Sequence, residues 1–148
     1  MEQEHRIVAN IASLRNFGHP VIICFSTGPA LPSFCSPMPR TPTPTTGMPF
    51  DETFVEHLSS AWEQNPSIHD GAVMIHRPAL TDKYRVAGWS YRLFPPSTTA
   101  GTPSNRGSAF NSCFAMSGVA GVDALYLVVA SGIWKFGDGR SHKINLPP

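Results

Sequence analysis

Three short, uninterrupted apolar runs constrain the fold of this chain more than any other feature of its sequence. They cover residues 21–25, 71–75 and 124–130, and they are bounded by glycine, proline and polar residues. Runs of this length and composition are typical of β-strands that are covered on both faces. We therefore expect a central sheet with helices packed on it.

Apolar residues at helical spacing predict three helices. The first covers residues 4–16 and ends before Gly18, and the second begins with Asp51 as its cap and ends at Asn65. A short third helix is expected over residues 108–117. Its inner face would carry Phe110, Cys113 and Phe114.

Two further strands complete the predicted sheet. Residues 84–94 would return antiparallel to the second apolar run, through a hairpin connection at 78–82. Residues 133–136 would form the last strand, ended by the Gly-Asp-Gly sequence at 137–139. The order α-β-α-β-β-α-β-β predicts an α/β fold: a single domain, residues 1–148, with a mixed and largely antiparallel central sheet flanked by helices.

A proline-rich loop is predicted between the first strand and the second helix. Residues 28–49 contain seven prolines and show no apolar periodicity. A loop of this length in a compact domain is typically functional or mobile. Two interpretations are open: a surface excursion with local polyproline character, which we favour, and a lid over a pocket. Residues 95–107 form a second loop of similar composition.

Charge and cysteine content exclude several classes of function. The net charge is +1, with eleven basic and ten acidic side chains mixed along the chain, so we expect no nucleic-acid partner. No apolar run is long enough for a membrane span. The cysteines Cys24, Cys35 and Cys113 lack metal-binding spacing, and the N-terminus is unlike a signal peptide. We therefore expect free thiols and a cytoplasmic location.

Four stretches of local sequence carry a resemblance to a known family. Asp70-Gly71-Ala72 follows a helix ending in Asn-Pro-Ser and precedes an apolar strand. The segment 84–88 contains small residues, and the segment 107–117 precedes Asp123-Ala124 and a valine-rich strand. In this order, over roughly residues 18–139, these stretches resemble the diadenylate cyclase domain. The resemblance implies the α/β fold of that domain and a nucleotide pocket that includes Asp70.

The chain departs from that family where catalysis depends on particular side chains. Ala109, Phe110 and Asn111 stand where the family has Arg-His-Arg, and Ser131-Gly132-Ile133 stands where it has Ser-Glu-Glu. The resemblance implies that those arginines handle the triphosphate and that a carboxylate of Ser-Glu-Glu binds metal. Phosphoryl transfer depends on such cationic clamps and metal ions. We therefore expect no enzymatic activity and no cofactor.

The remaining residues predict a binding site for an anionic ligand. Asp70 survives from the family's active site, and Gly71 and Ala72 allow close approach to the backbone. The start of the third helix offers backbone N–H groups to a phosphate, Arg106 offers a cation, and aromatic rings on the strand at 84–94 can stack a base. The full set is Asp70, Gly71, Ala72, Trp89, Tyr91, Arg92, Arg106, Gly107, Ser108, Asn111, Ser112 and Ser131.

Each of these assignments has an ordinary structural alternative. Asp70 can cap the turn before the strand, Arg106 can be a solvated loop residue, and the aromatic rings can serve sheet packing. Strict alternation along the strand at 84–94 would place its side chains on two opposite faces. One face would carry Trp89, Tyr91 and Leu93, and the other would carry Ser90, Arg92 and Phe94.

The function that these observations favour is that of a sensor. We expect a catalytically inactive diadenylate-cyclase-like domain that binds a nucleotide or a cyclic dinucleotide in bacterial signalling or anti-phage defence. The resemblance implies an effector, which would lie on another chain, and paired pockets in a homodimer.

Two alternatives stay open. One is a divergent nucleotidyltransferase that uses ATP and Mg²⁺ or Mn²⁺, with Asp70 and Arg106 in catalytic roles. The other is a ligand-free interaction module whose pocket is filled by Phe110 and the proline-rich loop.

Overall fold

The computed structural model describes residues 2–14, 18–96 and 107–145. Helices and strands alternate irregularly along these residues. The elements are α1 (Glu2–Ile11), β1 (Val21–Thr27), β2 (Cys35–Pro37), α2 (Phe54–Gln64), a 3₁₀ turn (Pro66–His69), β3 (Ala72–Arg77), β4 (Arg85–Leu93), α3 (Ser108–Met116), β5 (Val122–Val129), β6 (Gly132–Gly137) and β7 (Arg140–Ile144).

One mixed sheet organises the part of the chain that the structure describes. Its seven strands lie in the order β2-β4-β3-β1-β5-β6-β7. The pairing of β1 with β3 is parallel, and every other pairing is antiparallel. The predicted fold class, a mixed and largely antiparallel sheet flanked by helices, is confirmed.

Each face of the sheet buries its own apolar cluster. Ile23, Phe25 and Ile75 belong to the cluster that α1 and α2 cover, whereas Cys24 and Met74 belong to the cluster that α3 covers. Neighbouring residues of one strand thus enter opposite cores, which explains why the central strands are apolar without alternation. No helix in the described ranges is long and apolar enough to cross a membrane.

The proline-rich loop is more ordered than its composition predicts. Part of it forms the edge strand β2, which pairs with β4. Further along, the backbone N–H of Gly47 donates to Val86, and Val86 donates in return to Met48. The segment is thus a surface excursion that is hydrogen-bonded in places along the outer side of β4.

Two element boundaries also differ from the prediction. The helix α1 ends at Ile11 rather than at residue 16, and the Ser13 hydroxyl donates to the Asn10 carbonyl, a local bond that competes with helical pairing. The helix α2 begins at Phe54 with Thr53 as its cap. Asp51 instead accepts the Thr53 backbone N–H at 2.9 Å, one turn before the helix proper.

The Gly-Asp-Gly sequence at 137–139 does not end the sheet, contrary to expectation. It turns β6 into the additional strand β7. Asp138 and Gly139 have φ values of 52° and 70°, the positive pair that tight hairpins favour. The strand β7 was not predicted because its sequence, Arg-Ser-His-Lys-Ile, is polar almost throughout.

A bulge in β4 changes which side chains share a face. Ala72 pairs with Tyr91 but Met74 pairs with Gly88, so β4 carries one extra residue there. Ser90 lies at the bulge with φ of 59°. As a result Trp89 joins the α1/α2 core, whereas Tyr91 packs on the α3 side. The predicted shared face of Trp89 and Tyr91 is therefore wrong.

Candidate functional site

A cleft of about 360 Å³ opens at the end of the sheet where β1 and β3 begin. The turn before β3 forms one wall, the first turn of α3 faces it, and the end of β4 closes the side. The lining residues are Ile22, Met38, Asp70, Gly71, Ala72, Tyr91, Arg92, Leu93, Ser108, Ala109 and Ser112. Seven of the twelve predicted site residues are thereby brought together: Asp70, Gly71, Ala72, Tyr91, Arg92, Ser108 and Ser112.

Gly71 lies in close contact with the segments that surround the cleft, and the position leaves no room for a side chain. Its φ is +89°, a conformation that side chains disfavour. A Cβ atom at this position would lie 2.6 Å from Met38 Cε and 2.8 Å from the Tyr91 carbonyl oxygen. Glycine therefore allows the turn before β3 to pack directly on β4 and on the proline-rich segment.

Asp70 is open to solvent, with 68% of its side chain exposed. Its Oδ2 atom lies 3.3 Å from Nη2 of Arg40. The Ser90 hydroxyl donates to the Asp70 backbone carbonyl, and this hydrogen bond fixes the turn to β4. His69, the neighbour of Asp70 in sequence, bonds the Pro66 carbonyl through Nδ1 and stacks on His19.

Arg40 is the charged residue beside Asp70 that the sequence did not predict. Its side chain, 18% exposed, crosses from the proline-rich segment to the cleft, where Nε donates to Ser90 Oγ at 3.1 Å and Nη1 donates to the Pro39 carbonyl at 3.1 Å. No local pattern marks Arg40, because 30 residues of sequence separate it from Asp70. The one sequence feature that could have pointed to Arg40 is its position as an arginine inside a long proline-rich loop.

The first turn of α3 faces the cleft with small side chains. Ser108, Ala109 and Ser112 line it, and the helix cap, Gly107, has no side chain to occupy the N-terminal N–H groups. Backbone N–H groups at a helix start favour anions. Ala109, at a position where the diadenylate cyclase family has arginine, leaves this wall uncharged.

Five predicted residues are not among those that line the cleft. Trp89 is buried on the other face of the sheet, where its Nε1 donates to the Thr45 carbonyl at 2.9 Å. Gly107 precedes α3, Asn111 is half-buried, and Ser131 is exposed at the β5–β6 turn, at the same end of the sheet. Arg106 lies outside the described residues.

The sequence resemblance implies a carboxylate after β5, where this chain has Gly132. Gly132 occupies its position with φ of 144°, and a Cβ atom there would lie 2.7 Å from Lys143 Cε. Among residues 2–14, 18–96 and 107–145, no three His, Cys, Asp or Glu side chains are grouped so that they could hold a metal ion. Asp70 is the one carboxylate among the described residues that line the cleft.

A second polar cluster lies at the opposite end of the sheet. Asp123 Oδ2 accepts hydrogen bonds from the Thr27 and Tyr84 hydroxyls. Arg77 donates from Nε to Thr27 Oγ1 at 2.9 Å, and its guanidinium lies 4.3 Å from the centre of the Tyr84 ring. Burial raises the pKa of Tyr84, and the hydrogen bond to Asp123 raises it further.

Two solved bacterial structures resemble this fold. The chain superposes on a hypothetical membrane spanning protein from Bacillus cereus with a TM-score of 0.64 and 14% identity, over 98% of this chain and 63% of that protein. It superposes on DacA from Staphylococcus aureus, a diadenylate cyclase, with a TM-score of 0.59 and 15% identity, over 97% of this chain and 89% of DacA.

These comparisons show a diadenylate-cyclase-like fold, and at such low identity they show the fold alone. The chain spans about 63% of the length of the Bacillus cereus protein. No protein-family model matches the sequence, and no curated protein matches it in sequence.

Proposed function

We propose that the cleft at Asp70 binds a nucleotide or a cyclic dinucleotide without converting it, so that the chain acts as a sensor. The observation that carries this proposal is the arrangement of the turn at Asp70-Gly71-Ala72 opposite the first turn of α3, in a diadenylate-cyclase-like fold. The cleft offers backbone N–H groups, hydroxyls and Arg92 to phosphate, and the Tyr91 ring to a base.

The proposal that the chain does not convert its ligand rests on two charged groups that the family has and this chain lacks. Ala109 provides no cation on the α3 wall, and Gly132 provides no carboxylate beside it. Without a clamp on the triphosphate and a second metal ligand, an enzyme of this kind loses the main sources of its rate.

The position of Phe110 disfavours the alternative of a ligand-free module whose pocket is filled by its own side chains. Its ring packs edge-on against Trp134 and Phe136, in the core under α3 rather than in the cleft. No side chain in the part of the chain that the structure describes fills the cleft. The output partner on another chain, the paired pockets of a homodimer and a role in bacterial signalling or anti-phage defence belong to the same proposal.

The proposal is tested by isothermal titration and thermal shift with ATP, AMP and cyclic di-AMP. We expect at least one of them to raise the melting temperature, because a ligand at a hundred times its Kd adds about 2.7 kcal/mol to the free energy of unfolding. Ala109→Glu should weaken that binding at least about tenfold by placing a like charge near phosphate, and Ala109→Arg should strengthen it. No shift with any of the three ligands would refute the proposal.

A separate incubation with ATP and Mn²⁺ or Mg²⁺ tests the absence of catalysis. We expect no cyclic dinucleotide to form. If product appears in wild type and is absent in Asp70→Asn, the divergent nucleotidyltransferase is correct and the sensor is not.

A further inference from the structure

We infer that Arg40 takes the place of a divalent metal ion in this cleft, and that its guanidinium passes from Asp70 to a phosphate when the nucleotide binds. The inference rests on the proposed function and names the charge chemistry of the same site. It makes the site specific for a phosphorylated ligand that binds without Mg²⁺ or Mn²⁺.

The first step is the poor fit of the cleft to a metal ion. Mg²⁺ binds oxygen ligands in near-octahedral geometry, and at nucleotide sites it is held by one or two carboxylates together with the phosphates. Among the residues that the structure describes, Asp70 is the one carboxylate lining the cleft, and its oxygen already faces the Arg40 guanidinium at 3.3 Å. A divalent ion would find one protein carboxylate and would have to displace a cation from it.

The second step is that Arg40 is held in place but not saturated. Ser90 and Pro39 fix its Nε and Nη1 atoms, so the guanidinium stays at the edge of the cleft whatever Nη2 contacts. The Nη2 contact is with a carboxylate that is 68% exposed, so water can solvate Asp70 when the guanidinium leaves it. Replacing that carboxylate by a phosphate therefore costs little.

The third step is the charge balance of the cleft. Arg92 lines it, and no side chain in the described ranges forms a hydrogen bond or an ion pair with the Arg92 guanidinium. Arg40 and Arg92 together place two cations beside one carboxylate. Planar guanidinium groups bind phosphate strongly and with defined geometry. The positive charge absent from α3 is thus supplied from β4 and from the proline-rich segment.

Asp70→Asn gives the sharpest test, because a metal ligand and a competitor of phosphate predict opposite results. We would titrate ATP and cyclic di-AMP by calorimetry, in EDTA and in MgCl₂. Loss of the competing charge should tighten binding about threefold to tenfold. Wild-type affinity should differ little between EDTA and MgCl₂.

Arg40→Ala should weaken binding about tenfold to a hundredfold, since it removes a charge-assisted bond to phosphate. The matched control is Arg85→Ala. Arg85 donates from Nη1 to the Gly47 carbonyl at 2.9 Å, so it tethers the same proline-rich segment. It lies at the start of β4, whereas the cleft residues Tyr91 and Arg92 lie near the end of that strand. Its loss should leave affinity unchanged.

Binding that requires metal, or that weakens in Asp70→Asn, would overturn this inference and leave the proposed function standing. Equal losses in Arg40→Ala and Arg85→Ala would also overturn it, because both would then act by tethering the segment. Failure of wild type to bind ATP, AMP or cyclic di-AMP would overturn the proposed function and this inference together.

Discussion

Both ends of the central sheet place an aspartate beside an arginine, yet the two sites differ in how far their polar groups satisfy one another. At the end of the sheet where β1 begins, Asp70 has one charged contact, to Arg40, and Arg92 lines the cleft. At the opposite end, Asp123 accepts two hydroxyl hydrogen bonds and Arg77 is bonded and stacked. Polar groups that bond one another stabilise the fold, whereas groups left open are available to a ligand.

The largest effect on this contrast is expected from Gly71→Ala. The new methyl group would meet the Tyr91 carbonyl oxygen at 2.8 Å and the Ser90 carbonyl carbon at 2.9 Å, both of which are backbone. Together with the positive φ, this should lower the free energy of unfolding by about 3 kcal/mol or more, measured by urea titration.

Gly139→Ala is the matched control, at the far end of the sheet. Gly139 also has positive φ, but a Cβ atom there would meet nothing within 4 Å. The expected loss is about 1 kcal/mol, from backbone strain alone. Equal losses in the two variants would show that close packing at Gly71 does not hold the cleft together.

A second contrast separates the two aromatic residues of β4. Tyr91→Leu should weaken nucleotide binding about tenfold to a hundredfold, because a base stacked on an aromatic ring is worth about 1–3 kcal/mol. Trp89→Phe should leave the affinity unchanged. It should lower the free energy of unfolding by about 1–2 kcal/mol, because the Thr45 carbonyl loses its hydrogen bond from the indole N–H. Calorimetry and urea unfolding would be measured on both variants. Weaker nucleotide binding in Trp89→Phe, or unchanged binding in Tyr91→Leu, would contradict these roles.

The smallest effect is expected at the Asp123 end. Tyr84→Phe should lower the free energy of unfolding by about 1 kcal/mol at pH 8 and leave nucleotide affinity unchanged. Burial and the bond to Asp123 raise the pKa of Tyr84 above its ordinary value of 10.0. The contribution of the hydroxyl is therefore complete below pH 10 and is lost as the pH rises further.

The free energy of unfolding should be measured by urea titration at a series of pH values, and the difference between wild type and Tyr84→Phe should narrow as the pH rises above 10. A constant gap would mean that the tyrosine hydroxyl titrates alike in the folded and unfolded chains. A change in nucleotide affinity would mean that the two ends of the sheet are coupled.

The sequence was sufficient for the sheet because its central strands are buried on both faces. Apolar runs such as residues 21–25 and 124–130 leave little choice of structure, and the structure confirms them. The motif at Asp70-Gly71-Ala72 could likewise be placed before a strand, since the helix upstream and the strand downstream both had clear patterns.

What could not be predicted depends on contacts between distant residues. The strand β2 is three residues long and forms because β4 offers it a partner. The bulge at Ser90 shifts the register by one residue, and that shift moved Trp89 to the opposite core. Arg40 reaches the cleft only because the proline-rich segment folds back along β4. Neither local propensity nor spacing encodes such contacts.

The most direct test of the account is an NMR titration of ¹⁵N-labelled protein with the nucleotide that binds best among ATP, AMP and cyclic di-AMP. The account predicts that amide shifts concentrate at Gly71, Ala72, Ser108 and Ala109, while Thr27 and Asp123 stay unchanged. Shifts centred on Thr27 and Asp123, or no shifts at the cleft under saturating nucleotide, would contradict it.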